Sequence, residues 1–212
     1  MSTIVVFGGT GYTGGNVIRE ASSRGDAVIS VSRSAPEEPV DGVRYEVGQV
    51  EELASRVIPG ADAVVVALSP RGDMAGRLVN LDAGIAARAA QARARLVVAG
   101  GFASLRPSPG APQLIEGEMP EQFRAEAEEN DAVRAMLEDS APDSLDWVYV
   151  SPTSGYGAWA AGERTGTYWV GGDVALFDAE GGSNISGADF AMAIVEEIDR
   201  PAHHRAHIGV AY

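Results

Sequence analysis

Between Gly8 and Gly15 the chain reads GGTGYTGG, directly after the β-branched apolar run Thr3–Phe7 and before a stretch whose Val17, Ile18 and Ala21 fall at helical spacing. A strand, a glycine turn and a helix in that order leave few folds open. Gly9, Gly11 and Gly14 satisfy the G-x-G-x-x-G pattern, and Gly8, Gly11 and Gly14 recur at every third residue. Glycine permits a tight turn and lets backbone N–H groups approach a pyrophosphate, while the positive end of the helix dipole stabilises the anion. Gly8, Thr10, Gly11, Tyr12, Thr13 and Gly14 are therefore the candidate phosphate-binding residues.

The same alternation continues along the chain. A helix is predicted over 12–24, closed by Gly25, then strands at 27–31 and 43–47, a helix at 51–57 and a strand at 63–68. Leu78, Leu81 and Ile85 mark a helix running to about Gln91, followed by a strand at 96–99 that stops at Gly100-Gly101. Residues 103–120 are rich in Pro, Gly and Ser, a long loop that is functional or mobile. An acidic helix is predicted over 121–138 with Phe123, Ala127, Val133 and Leu137 facing inward, then a strand at 147–150. Short strands at 167–170 and 175–177, a helix at 187–199 capped by Ser186, and a strand at 208–211 complete the chain. Strands alternating with helices imply a parallel sheet covered on both faces. The fold class expected is α/β, a doubly wound parallel sheet, with a small irregular C-terminal elaboration on the substrate side. With 212 residues and no internal repeat, one domain spanning 1–212 is expected.

What is missing narrows the chemistry. There is no cysteine, and all 16 basic residues are arginine. A thiol nucleophile, a cysteine zinc site, a Schiff-base lysine and a phosphate-loop lysine are thus excluded. His203, His204 and His207 crowd near the C-terminus without a clustered carboxylate partner, so no metal site is expected. Thirty acidic residues against 16 basic ones give a formal charge of −14, which disfavours nucleic acid and anionic lipid as partners. No apolar run reaches the ~18 residues of a membrane span, and the first residues lack the basic leader of a secretory signal, so a cytoplasmic location is expected.

An NAD-binding chain usually carries a carboxylate at the end of its second strand, about 20 residues past the glycine turn, to accept from the ribose 2′-hydroxyl. Here the segment reads Ser30-Val31-Ser32-Arg33-Ser34. Arg33 is placed to grip a 2′-phosphate with its planar fork, with Ser32 and Ser34 donating beside it, so NADP(H) is favoured over NAD(H).

With GGTGYTG at the start, VVAGGFASL at 97–105, DWVYVSPTS at 146–154, GERTGTY at 162–168 and ISGADFAMAIVEEI at 185–198, nearly the whole chain resembles the atypical short-chain dehydrogenase/reductase superfamily. Within it, the chain is similar to small proteins provisionally described as NAD(P)H–flavin reductases. The resemblance implies a Rossmann fold with the nicotinamide cofactor across the carboxyl ends of the strands. It adds Ala67, Leu68, Ser69, Gly100, Gly101, Pro152 and Thr153 to the cofactor site and puts Ser104 in the approximate place of the catalytic serine. Two departures stand out. Gly48-Gln49-Val50 lacks the aspartate that many relatives carry near the adenine, and the tyrosine–lysine pair is absent, the matching region reading Glu121-Gln122-Phe123-Arg124-Ala125-Glu126.

Without that pair, carbonyl reduction lacks its usual proton donor. A flavin or quinone spreads the incoming charge within its own rings and needs mainly alignment over the nicotinamide. Trp147, Trp159 and Trp169 lie with Tyr149, Tyr156 and Tyr168 between residues 147 and 169; Trp147 and Tyr149 sit in a strand and read as core, whereas Ser154, Tyr156 and Trp159 are candidate contacts to an aromatic small-molecule acceptor. Flavin is expected as a substrate rather than a prosthetic group. Arg164 reads as half of an arginine–glutamate pair that fixes its loop, Arg71 and Arg106 as ion-pair or phosphate groups, and Glu126, Glu128, Glu129 and Asp131 as a solvated helix face. The resulting expectation is an NADPH-dependent reductase. A non-catalytic NADP(H)-binding redox sensor is the alternative, and a sugar-nucleotide epimerase, which would need the absent tyrosine, stands third.

Overall fold

In a computed structural model that describes all 212 residues, eight strands join into one sheet. The strands are β1 (Thr3–Phe7), β2 (Ala27–Ser32), β3 (Arg44–Val47), β4 (Ala63–Val66), β5 (Arg95–Ala99), β6 (Trp147–Ser151), β7 (Trp169–Gly171) and β8 (Ala206–Ala211). The helices are α1 (Tyr12–Ser23), α2 (Val50–Val57), α3 (Leu78–Ala92), α4 (Glu121–Ser140) and α5 (Gly187–Asp199). The sheet order is β3-β2-β1-β4-β5-β6-β8-β7, parallel throughout except for β7, which pairs antiparallel with β8 at the edge. No helix is long and apolar enough to cross a membrane.

The near-continuous apolar strands follow from burial on both faces. Ile4 and Val6 of β1 meet α1 and α5 through Val17, Ile18, Phe190 and Ile194. Val5 and Phe7 point to the opposite face, where α2, α3 and α4 contribute Leu53, Leu81, Ile85, Val133 and Leu137. Strand order reverses between β1 and β4, so the loops leaving their carboxyl ends diverge and open a crevice.

Several local expectations are corrected. The second of the two short C-terminal strands is absent: Val174 makes only an isolated bridge to Arg106, and Phe177 is half-exposed beyond it. Phe123 is exposed: only Val133, Arg134 and Leu137 are buried on this helix, so its core contacts lie in the second half and not in the turns that carry Phe123. The loop at 103–120 contains short 3-10 turns and is packed down: Leu105 and Ile115 are buried, and Arg106 pairs with Asp173 and donates to the Ala111 carbonyl.

Nor is the acidic face of α4 merely solvated. Glu129 accepts from the N–H groups of Gly76 and Leu78, both at 2.7 Å, and so caps α3. Glu126 accepts from Nε and Nη2 of Arg71, each at 2.9 Å. Arg164 does anchor its loop, but its partner is the buried Glu20 of α1 and not the adjacent Glu163.

Asp189 holds the C-terminal elaboration in place. Ser186 caps α5 by accepting from the Asp189 N–H, and the buried Asp189 carboxylate accepts from Thr165 N–H at 2.7 Å, Gly166 N–H at 2.9 Å, Ser186 Oγ at 2.9 Å and the Tyr212 hydroxyl at 2.5 Å. Burial alone would raise this carboxyl; the donors outweigh it and hold it below the ordinary carboxylate range. We expect Asp189→Asn to destabilise the fold by about 1–3 kcal/mol, since the donors converging on it, from the buried Ser186 hydroxyl to the more exposed Thr165, Gly166 and Tyr212, lose a charged acceptor. The folded carboxyl titrates below its unfolded value, so its contribution is complete above about pH 4 and is lost as pH falls through the lower folded value. Urea denaturation of both proteins at pH 7 and pH 3 checks this; an Asp189→Asn variant as stable as the parent at pH 7 would contradict it.

Candidate functional site

The glycine turn after β1 is shaped by contacts that leave no room for side chains. Gly8 adopts φ +85°, and a Cβ there would stand 2.3 Å from the Ala67 carbonyl oxygen at the end of β4. A Cβ on Gly14 would stand 2.3 Å from the Gly8 carbonyl oxygen. Helix α1 is thereby drawn tightly onto the turn. Gly11 is its N-cap and supplies no side-chain acceptor, so the first-turn N–H groups of α1 face the crevice without a side-chain cap. Thr10 and Gly11 are exposed there, and Tyr12 and Thr13 are half-buried. This bare, positively polarised cradle fits a pyrophosphate.

Loops from neighbouring strands gather along the same carboxyl edge. Gly8 N–H donates to Val31 at the end of β2, Ala67 N–H to Phe7 and Gly100 N–H to Val150, so Ser32–Ser34, Ala67–Ser69, Gly100–Ser104 and Ser151–Ser154 leave the sheet in a row along the edge that carries the turn. The structure thus brings together the residues singled out for the cofactor. Their individual roles differ. Arg33 is exposed and pairs with Asp73, whereas Ser32 is buried and donates its hydroxyl to the Ser34 carbonyl at 2.8 Å. Pro152 and Thr153 are buried, and Ser69 and Ser154 are exposed.

Tyr156 and Trp159 fare differently from each other. Tyr156 shares a 2.8 Å hydrogen bond with Thr13 and packs on Phe190 and Tyr12 with ring centroids at 4.7 and 5.4 Å, so it fastens the C-terminal elaboration to α1. Trp159 is 78% exposed. Trp147 and Tyr149 are core residues, as their strand position predicts.

Two features escape a reading of the sequence. Phe102, in the turn after β5, meets Phe177 edge-to-face at 6.3 Å; the half-exposed pair forms an aromatic wall next to Gly100-Gly101. A bend between β7 and α5, with no motif of its own, brings Phe177 there. The second feature is a buried polar cluster behind the same glycines. Tyr149 donates to the Asn130 carbonyl at 2.8 Å and accepts from Gly101 N–H at 3.3 Å, and a Cβ on Gly100 would collide with its ring at 2.0 Å. Ser151 donates to the Gly101 carbonyl at 2.9 Å and meets His207 Nε2 at 2.8 Å. Ser104 lies beside the Tyr149 hydroxyl, 1% exposed, with no hydrogen-bond partner for its Oγ. Asp82, fully buried on α3, is pushed up to about 8 by burial and then by the charge of Glu129, so it is chiefly protonated at neutral pH.

The histidines do not converge on a common point. His203 faces Glu197, His204 faces Asp146, and His207 is buried against Ser151 and Tyr149. Arg71 and Arg106 are engaged with Glu126 and Asp173.

A doubly wound sheet with a glycine cradle at its switch point defines the class of Rossmann dinucleotide-binding proteins. Residues 8–201 match the family described as NAD(P)H-binding, and the chain belongs to that family. The Bacillus subtilis (strain 168) protein YwnB, itself uncharacterised, is 30% identical over 203 residues, covering 94% of this chain and 93% of its own. The crystal structure of SP1627 from Streptococcus pneumoniae TIGR4, provisionally named an NADH-flavin reductase, superposes with a TM-score of 0.85 at 25% identity, over 100% of this chain and 99% of that one. A protein of Bacteroides thetaiotaomicron, provisionally named an epimerase, gives a TM-score of 0.85 at 28% identity, over 100% of this chain and 97% of that one.

Burial lowers His207 to about 4, with the Arg134 charge acting next in the same direction. The unfolded histidine binds its proton near pH 6.5, so stability falls as pH drops from about 6.5 to about 4, by roughly 3 kcal/mol in all. Urea midpoints at pH 7 and 4.5 should fall further for the parent than for His207→Gln. Equal falls would place the buried, neutral histidine in error.

Proposed function

We propose that the protein is an NADP(H)-dependent reductase that passes hydride to a flavin or quinone-like acceptor, with flavin a diffusible substrate. The observation that carries this reading is the Phe102–Phe177 wall, which flanks the Gly100-Gly101 loop on a site that has no tyrosine–lysine pair. Such a surface suits a flat aromatic acceptor, and such an acceptor can do without a protein proton donor. The flavin reductase name borne by SP1627 agrees with it.

Reduced nicotinamide, when bound, supplies the hydride, and solvent supplies the accompanying proton to the acceptor ring. The chain's own groups bind and orient. The first-turn N–H groups of α1 hold the pyrophosphate, and Arg33 holds the 2′-phosphate. Gly100 and Gly101, braced from behind by Tyr149 and Ser151, border the reacting rings. Phe102 and Phe177 align the acceptor and exclude water. Ser104, the expected catalytic serine, is buried beside the Tyr149 hydroxyl and is not exposed to the crevice, so it backs the loop and does not touch the acceptor.

Steady-state assays with NADPH and a panel of flavins and quinones test the reading. Turnover well above buffer is expected, and Phe177→Ala should raise the acceptor KM by about tenfold while leaving the NADPH KM unchanged. Arg33→Ala should weaken NADPH binding by about 1–3 kcal/mol and spare NADH. Ser104→Ala removes a buried hydroxyl that does not reach the crevice, so it should keep full stability and leave kcat within about twofold. Tight NADPH binding without turnover on any acceptor would replace the reductase with a redox sensor.

A further inference from the structure

The cation assigned to the adenosine end of the cofactor already has a partner. Arg33 follows the end of β2, and its Nη1 donates to Asp73 Oδ1 in the short 3-10 turn Gly72–Met74 beyond β4. Because β2 and β4 lie on either side of β1, the pair ties together the two loops that border the crevice beyond β1. The two side chains are 47% and 68% exposed. Pairs this exposed contribute little to stability, so folding alone gives no account of this one.

The fold presents Asp73 from a pinned segment. Arg71 is clamped by Glu126, the N–H groups of Gly76 and Leu78 are clamped by Glu129, and Met74 between them is buried. Gly72 and Gly76, on either side of Asp73, take φ +62° and +76°, turns that suit glycine. Arg33 is the side chain to which Asp73 hydrogen-bonds; it holds the Asp73 carboxyl below its ordinary value, and Arg77 acts in the same sense.

We propose that Asp73 sets cofactor choice by competing with the ribose 2′-phosphate for Arg33, so that NADP(H) binds by displacing Asp73 from the guanidinium whereas NAD(H) leaves the pair closed. This rests on the reading of Arg33 as the 2′-phosphate ligand. A phosphate brings more charge and more acceptor oxygens to the guanidinium fork than one carboxylate does, so it wins the exchange. Its gain is reduced by the lost pair and by repulsion from a carboxylate that the pinned segment keeps close by. Asp73 is thus a specificity residue that holds NADP(H) affinity down.

Calorimetric titration of the full chain with NADPH and with NADH tests this in the parent, Asp73→Asn, Arg33→Ala and the double variant. Asp73→Asn should tighten NADPH by about three- to tenfold and leave NADH within about twofold. On the Arg33→Ala background the same change should do nothing for NADPH. Unchanged NADPH affinity in Asp73→Asn, with Arg33→Ala weakened as expected, would overturn the competition while leaving Arg33 as the phosphate ligand. A several-fold loss of NADH affinity in Asp73→Asn would also overturn it, by making Asp73 an acceptor for a ribose hydroxyl. Were Arg33→Ala to bind NADPH as the parent does, the reading of Arg33 would fail and the proposal with it.

Discussion

Backbone against backbone at the end of β1 is the contact on which the rest of the site depends. Gly8 lies against the Ala67 carbonyl and Gly14 against the Gly8 carbonyl, each at a separation that a single methyl group would close. These approaches bring β4 and the first turn of α1 to the same point, and only there does the helix present uncapped N–H groups to the crevice. The sheet then distributes the remaining loops: β2 delivers Arg33, β4 delivers the Asp73 segment, β5 delivers Gly100–Ser104, and β6 braces that last loop from behind.

Around this frame, carboxylates do the fastening that a larger core would do in a longer chain. Glu20 joins α1 to the Arg164 loop, Glu129 and Glu126 join α4 to the segment before α3, and Asp189 gathers the C-terminal elaboration. In a chain with 30 acidic residues and only arginine as cation, such planar, multiply bonded partners are the natural pairing. The outcome links charge to function, because the segment pinned by Glu126 and Glu129 carries Asp73 to Arg33.

Much of the fold was legible because its signals are local. The glycine turn, the helical spacing of Val17, Ile18 and Ala21, the Ser186 cap and the apolar strands other than the one expected at 175–177 depend on adjacent residues, and they stand in the structure where their spacing puts them. What escaped depends on contacts across the chain. Nothing near Phe177 announces Phe102, which lies 75 positions earlier and meets it only because the segment after β7 folds against Arg106. Phe123 looked inward by spacing alone, but burial on α4 is confined to its second half. Glu129 looked solvated by composition, since a sequence does not show that an N-terminus of another helix stands opposite. Within the site, the cradle was legible, and the Asp73 partner of Arg33 and the burial of Ser104 were not.

Hydrogen–deuterium exchange with and without NADPH tests the central claim most directly, because it reports where along the chain the cofactor sits. The account predicts slowed exchange at 9–14, 32–34, 67–74 and 100–104, along the carboxyl edge of the sheet, with no change at 93–95 on the opposite edge. Protection confined to that opposite edge, or no protection at 9–14 under saturating NADPH, would contradict it.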